Sequence, residues 1–108
     1  MIARIWRGWV RTDQVDDYVA YLDETGLREY RETPGNLGAQ LLTRKLDDGR
    51  SEVVTLSWWN SLDSIRSFAG DDIESAKFYP DDDGYLVERE TTVTHHTVAR
   101  SWLPGDLD

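Results

Sequence analysis

The chain of 108 residues contains no cysteine, which excludes disulfide bonds, thiolate nucleophiles and cysteine-ligated metal sites. It has no run of about 18 apolar residues, which excludes a transmembrane helix. The opening MIARIWRGWV is unlike a signal peptide, so we expect a cytoplasmic protein. Basic residues are few: 12 Lys and Arg stand against 21 Asp and Glu, a formal net charge of −9. Because nucleic acids and anionic membranes bind clustered Lys and Arg, neither is an expected partner.

Aromatic residues, in contrast, are abundant, with 5 Trp and 5 Tyr among the 108 residues. Disordered chains are poor in aromatics, so we expect a packed core. The length is typical of one domain. We assign this domain to residues 1–102 and expect residues 103–108 to form a flexible tail.

Alternating apolar and polar residues predict four strands. The strand-like stretches are 2–11, 37–45, 52–59 and 91–100. The Asp-Gly pair within loop 47–49 indicates a hairpin between the second and third strands.

Apolar residues spaced three and four apart predict two helices. The first is expected to be capped by Thr12 or Asp13 and to end at the turn 34–35, with an interruption near Gly26. The second is expected to be capped by Asn60 or Ser61 and to end at residue 70, where glycine suits the left-handed conformation.

The element order β-α-β-β-α-β predicts an α+β, ferredoxin-like fold with a four-stranded antiparallel sheet and helices on one face. Segment 71–88 is expected to be irregular, with a helical turn at 73–78. The first strand carries large apolar side chains on both faces, since Trp6 and Trp9 point in opposite directions. An uncovered apolar sheet face is rare in monomers, so we predict a homodimer in which two sheets pack face to face.

Three stretches of the chain resemble one protein family. They are Ile2 to Gly8 (IARIWRG), Ser61 to Gly70 (SLDSIRSFAG) and Val93 to Val98 (VTHHTV), and together they resemble the antibiotic biosynthesis monooxygenase superfamily. The resemblance extends over nearly the whole chain. It implies a dimeric α+β barrel with a cavity between the sheet and the helices of each subunit. Relatives include cofactor-independent monooxygenases that oxidise aromatic polyketides, and heme-degrading monooxygenases.

The heme-degrading branch carries an Asn on the first strand, and a Trp and a His after the third. In this sequence those positions hold Arg7, Phe68 and the pair Phe78-Tyr79. We therefore expect no heme degradation of the usual form, although a tyrosine such as Tyr79 is able to ligate iron. The acidic run 81–83 lacks the first ligand of a calcium loop, so neither a metal nor a cofactor is expected.

The two histidines are adjacent on the last predicted strand, so His95 and His96 lie on opposite faces. His95 matches the position at which the resemblance places a histidine, and we predict that it lines the cavity as a general base. The alternative is a buried histidine hydrogen-bonded for packing.

Six further residues are predicted to bind the substrate: Arg4, Trp6, Trp59, Phe68, Phe78 and Tyr79. The aromatic members would stack against a flat molecule. Arg4, or Arg7 on the other face of the first strand, would hold an oxyanion or a carboxylate in its planar fork. The alternatives are ordinary core packing for the aromatics and an intersubunit ion pair for the arginine.

Two functions follow from these predictions. The first is a cofactor-independent monooxygenase that acts on a small aromatic or enolisable substrate between the sheet and the helices. The second is a non-catalytic dimeric protein of the same fold that binds a small molecule or heme.

Overall fold

A computed structural model describes residues 1–103 and has an α+β architecture, with helices on one face of an antiparallel sheet. Its elements are β1 (Ile2–Arg11), a 3-10 turn (Thr12–Gln14), α1 (Val15–Glu24), α2 (Gly26–Glu32), β2 (Asn36–Lys45), β3 (Arg50–Trp59), α3 (Leu62–Ala69), α4 (Asp82–Tyr85), β4 (Leu86–Arg89) and β5 (Thr94–Thr97). The predicted tail, 103–108, lies outside the described residues except for Leu103. Within residues 1–103 no helix is long and apolar enough to cross a membrane.

The sheet has the order β2-β3-β1-β4, with β5 also paired to β1. The central strand β1 pairs with β3 along its whole length, from Ile2 opposite Trp59 to Arg11 opposite Arg50. On its other edge, β4 lies beside the end of β1 and β5 beside its beginning. The predicted α+β ferredoxin-like fold is confirmed, with two short strands in the fourth strand position.

The last strand predicted at 91–100 is present only as the shorter β5 (Thr94–Thr97), and a further strand, β4, precedes it, because the chain leaves the sheet between the two. The indole nitrogen Nε1 of Trp6 donates to the backbone oxygen of Glu90 at 2.6 Å. The backbone N–H of Val93 donates to the oxygen of Glu74 at 2.8 Å. These two groups therefore bond to a side chain of β1 and to a distant loop instead of to the backbone of β1.

The helical turn predicted at 73–78 is also absent. The stretch begins with a tight turn, in which the backbone N–H of Ser75 donates to the oxygen of Asp72 at 3.2 Å, and Ser75 forms an isolated antiparallel bridge with Thr92. The one helical turn of segment 71–88 is α4, which begins after Pro80. Segment 71–81 thus crosses the helix-covered side without regular structure of its own.

The helix ends agree with the predictions in part. The first helix has no side-chain cap, because Thr12 Oγ1 is hydrogen-bonded to Ser51 Oγ at 2.8 Å instead. The cap predicted at Ser61 is present, since its Oγ accepts from the backbone N–H of Ser64 at 3.1 Å. The helix that it caps ends at Gly70, whose φ of 87° favours glycine.

The core lies between the sheet and the helices in two clusters. One cluster, beneath α1, includes Trp6, Val10, Tyr18, Leu22, Val53, Leu86 and Val93. The other, beneath α2 and α3, consists of Tyr30, Trp59, Ile65 and Phe68. On β3 buried and half-buried residues alternate, so Val54, Leu56 and Trp58 lie on the opposite face of the sheet. This outer face is apolar and half-buried; the homodimer stays a prediction.

Candidate functional site

A cavity lies between the sheet and the helices, where the two core clusters meet. Its walls come from β1, β3, α1, α2, α3 and the irregular segment before α4. The void is about 460 Å³ with its open mouth included, but the centre of a water molecule reaches only about 30 Å³ of it. That is room for about two water molecules. A ligand as large as an aromatic ring therefore requires the surrounding side chains to move.

Five of the predicted site residues line this cavity: Arg4, Trp6, Phe68, Phe78 and Tyr79. The other two, Trp59 and His95, are not part of its lining. Each of these two residues contacts a residue of the lining, so both form a second layer around the cavity.

The Arg4 side chain is the cationic group of the site, and it is only 3% exposed. Its Nη1 donates to the backbone oxygen of Ile73 at 2.6 Å, and its Nη2 donates to that of Ser75 at 3.1 Å. Nη1 also lies 2.9 Å from Nε2 of His95. The guanidinium carbon is 5.7 Å from the centroid of the Phe68 ring.

No carboxylate is hydrogen-bonded to Arg4 among residues 1–103; its partners are two carbonyl groups and an imidazole. Burial lowers the pKa of Arg4, and the nearby Tyr30 and Tyr79 oppose this shift. An arginine nevertheless keeps its proton in a protein. Because a buried charge without a counter-ion is unfavourable by several kcal/mol, these three acceptors compensate the charge of Arg4 only in part.

His95 lies directly opposite Arg4 in the pairing of β1 with β5, on the helix-covered side. His96 points the other way, is exposed and is hydrogen-bonded to Thr94 Oγ1 at 3.0 Å. An arginine donates and never accepts, so Nε2 of His95 must supply the lone pair and its proton resides on Nδ1. With both nitrogens occupied in this way, His95 has no free lone pair for a substrate proton.

Trp59 stands behind the cavity wall rather than in it. It is fully buried, and its Nε1 donates to Ser57 Oγ at 2.9 Å. Its ring packs 5.7 Å from Phe68 and 5.9 Å from Tyr30, measured between centroids. Trp59 therefore supports two of the aromatic rings that line the cavity.

Trp6 and Phe78 form the opposite aromatic wall, edge to face, with their centroids 6.1 Å apart. The Trp6 ring is fixed by the hydrogen bond of its Nε1 to Glu90. Phe78 carries the guanidinium of Arg89 at 4.7 Å from its centroid.

Polar side chains gather where Tyr79 lines the cavity. Its hydroxyl donates to Glu29, which also accepts from Lys77. The ammonium of Lys77 lies 4.9 Å from the centroid of Phe68 and donates to that residue's backbone oxygen at 3.2 Å. Burial, followed by the hydrogen bond to Glu29, raises the pKa of Tyr79 above its usual range, so its phenol stays neutral.

Asp82 contributes a carboxylate to the cavity lining and is only 2% exposed. It accepts from the hydroxyl of Tyr18 at 3.0 Å and from the backbone N–H of Tyr79 at 2.6 Å. Burial raises its pKa, and the two hydrogen bonds oppose this shift. Asp82 thus ties the segment before α4 to α1.

Tyr30, Thr55 and Asp82 also line the cavity and were not predicted from the sequence. Tyr30 is 7% exposed, and burial raises the pKa of its hydroxyl, whereas the side chains of Thr55 and Ser57 oppose this shift. The inward positions of β3 combine Ser51, Thr55 and Ser57 with apolar residues, which is a readable sign of a polar pocket. No such sign separates Asp82 from its acidic neighbours.

No protein-family sequence model matches the chain, and no characterised protein is similar enough in sequence to count as a relative. Solved structures match it well. A Bacillus cereus protein whose name assigns it to the antibiotic biosynthesis monooxygenases has a TM-score of 0.67 at 17% identity, with 94% of this chain and 96% of that chain covered.

Two further matches contain ligands. The monooxygenase ActVA-Orf6 of Streptomyces coelicolor, in complex with nanaomycin D, gives a TM-score of 0.61 at 18% identity, over 95% of this chain and 91% of that chain. A MhuD mutant with two manganese protoporphyrin IX molecules per active site gives a TM-score of 0.58 at 14% identity, over 94% of this chain and 98% of that chain. The predicted resemblance is therefore confirmed for the fold. Sequence identities this low show a shared fold and nothing finer.

Proposed function

We propose that the chain is a cofactor-independent monooxygenase that binds a small aromatic or enolisable molecule as its anion and oxidises it with O₂. The observation that carries this proposal is Arg4, a buried guanidinium with no carboxylate partner among residues 1–103, in a cavity with aromatic walls. An anionic ligand would supply the missing counter-charge.

The charge of Arg4 would activate as well as bind. A cation within hydrogen-bonding distance of a phenol or an enol favours the ionised form and so lowers the pKa of the substrate. In a water-poor cavity this interaction is stronger than in solvent. The proton would pass to water at the open mouth, so His95 is not required as the base.

The substrate anion would then reduce O₂ itself. For a methylene group beside a carbonyl, a carbon–oxygen bond forms between that carbon and O₂. Loss of the second methylene hydrogen and cleavage of the oxygen–oxygen bond leave a ketone and one water molecule. The substrate supplies all four electrons, and the aromatic walls formed by Trp6, Phe68 and Phe78 would hold its ring flat.

We further propose that the protein works as a homodimer in which the outer sheet faces, bearing Val54, Leu56 and Trp58, pack together. Two such faces would cover each other's apolar side chains. A cytoplasmic location stays a prediction.

The alternative is a protein that binds a small aromatic anion without turnover, and the bond between His95 and Arg4 favours it because no free base adjoins the cation. Heme fits less well. The residues that line the cavity include no histidine, and Tyr79 is held as a neutral phenol by Glu29. Stoichiometric binding of hydroxylated anthrones without O₂ consumption would support the binding function, and a Soret shift with hemin would contradict this assessment.

Oxygen uptake with a panel of hydroxylated anthrones tests the proposal. We expect substrate-dependent O₂ consumption by the wild type. Arg4→Gln should lower kcat/KM by about 10²-fold, since a buried charge-assisted contact to the substrate is lost. Arg4→Lys keeps the charge without the planar fork, so its kcat/KM should lie between those of the wild type and Arg4→Gln.

The matched control is Arg28→Gln on the surface of α2, where the arginine pairs with Glu32. It should leave O₂ uptake unchanged. Equal activity of the Arg4→Gln variant and the wild type, with both folded by circular dichroism, would contradict the assigned role of Arg4.

A further inference from the structure

The guanidinium of Arg4 is held from two sides. The carbonyl groups of Ile73 and Ser75 belong to the irregular segment before α4, whereas His95 belongs to the sheet. Both Nη1 hydrogens are used, one by Ile73 and one by His95. The Nε–H and the second Nη2 hydrogen have no acceptor among the described residues, and these are the donors left for a ligand.

The contact with His95 exists in only one protonation state. Nε2 must present its lone pair to Arg4, so the ring is neutral and carries its proton on Nδ1. A protonated His95 would turn an N–H and a positive charge toward the guanidinium. Two cations at 2.9 Å repel, so the contact would break and Arg4 would lose its support from the sheet.

We infer that His95 is a positioning residue that, only while it is neutral, holds Arg4 in the orientation that binds an anionic aromatic ligand. This inference rests on the proposed anion site and assigns His95 a role through Arg4 instead of a direct proton transfer. Ligand affinity should therefore fall as His95 becomes protonated.

The charged groups around His95 determine the pH at which it becomes protonated. Arg4 faces it from β1, Glu74 from the irregular segment, and His96 is its neighbour on β5. Burial and then Arg4 lower the pKa of His95, and Glu74 opposes them. The unfolded chain therefore takes up this proton first as the pH falls below about 6.5, and the neutral contact is fully present above that value.

The test uses naphthalene-2-sulfonate, an aromatic anion whose charge is constant between about pH 5 and pH 8, and follows its binding by tryptophan fluorescence. For the wild type we expect Kd to rise as the pH falls below about 6.5, by about tenfold or more once His95 is protonated, the effect of losing one charge-assisted contact. The neutral analogue 2-naphthalenemethanol should show no such change.

His95→Gln separates positioning from other effects of acid. The amide oxygen of glutamine is able to accept from Arg4 but does not titrate, so this variant should bind with a nearly constant Kd. The buried Asp82 also titrates near the cavity, and it is unchanged in this variant. His96→Gln, at the exposed histidine, is the matched control and should keep the wild-type pH dependence.

Persistence of the wild-type pH dependence in His95→Gln, or its absence from the wild type, would overturn the inference. Nitrogen-15 NMR of the imidazoles gives a second readout that needs no ligand. We expect the Nδ1–H form for His95 at pH 8, and its loss in Arg4→Gln.

An Nε2–H form for His95 would also overturn the inference. Failure of the sulfonate to bind at any pH, together with the Nδ1–H form, would refute the anion site of the proposed function. It would leave intact the structural contact between His95 and Arg4.

Discussion

At the scale of single residues, Gly8 shows how closely the cavity wall is packed. It follows Trp6 by two positions on β1, so both face the helix-covered side. A Cβ atom at position 8 would lie 2.5 Å from Cη2 of Trp6 and 2.8 Å from a methyl carbon of Leu86. The absence of a side chain here thus makes room for the indole ring.

Gly8→Ala should therefore destabilise the protein by about 1–3 kcal/mol, the usual effect of forcing extra volume into a packed core. Urea denaturation followed by circular dichroism measures the change. The control is Gly84→Ala in α4, where an added Cβ meets nothing within 4 Å. This variant should change the free energy of unfolding by no more than about 0.5 kcal/mol. Equal stability of the two variants would show that the Trp6 ring is free to move aside.

At the scale of elements, the short helix α4 is tied to α1 by two tyrosines with different partners. Tyr18 donates to the buried carboxylate of Asp82, whereas Tyr21 accepts from the backbone N–H of Asp81 at 2.9 Å. Both tyrosine rings also pack against Tyr85. The two hydroxyl groups therefore allow a charged bond and a neutral bond to be compared on one helix.

Tyr18→Phe should lower the free energy of unfolding at pH 7 by about 1.5–3 kcal/mol, because a buried carboxylate loses one of its two donors. Tyr21→Phe, the matched variant, should lower it by about 0.5–1.5 kcal/mol. Thermal or urea unfolding measures both.

The decrease in the free energy of unfolding that Tyr18→Phe causes should be smaller at acid pH. Burial raises the folded-state pKa of Asp82 above the unfolded value of 3.8, so the folded chain takes up this proton first and the charge is removed. An equal loss at acid and neutral pH would contradict a charged Asp82 in the folded protein.

Local patterns were sufficient to predict β1, the hairpin and the cap at Ser61, because each depends on neighbouring residues. The same alternation that predicts β1 places Arg4 and Trp6 on one face, and this is why sequence found them as site residues. The interruption of the last strand was not predictable, because it depends on bonds to Trp6 and to segment 71–81. Asp82 was missed for the same reason, since its burial depends on Tyr18.

At the scale of the whole molecule, the proposed dimer depends on the outer face of the sheet. Leu56 is central to that face, paired with Ile5 on β1 and with Gln40 on β2. We expect the chain to elute as a dimer in size-exclusion chromatography with light scattering. Leu56→Asp should convert it to a folded monomer, because a carboxylate would be buried at the centre of the interface.

The control for this variant is Leu62→Asp at the start of α3, where the side chain is 41% exposed on the helical side of the sheet. It should remain dimeric. A monomeric wild type, or a dimeric Leu56→Asp variant, would contradict the proposed interface.

The interruption between β4 and β5 also bears on aggregation. A long, straight edge strand exposes unpaired N–H and C=O groups, which are a template for strands of other molecules. Here the edge beside β1 consists of two four-residue pieces, and the backbone between them is bonded to Trp6 and Glu74. The opposite edge, β2, ends in exposed Arg44 and Lys45. The edge formed by β4 and β5 therefore does not favour intermolecular strand addition, whereas on the ten-residue β2 only the end that carries these two charges is protected.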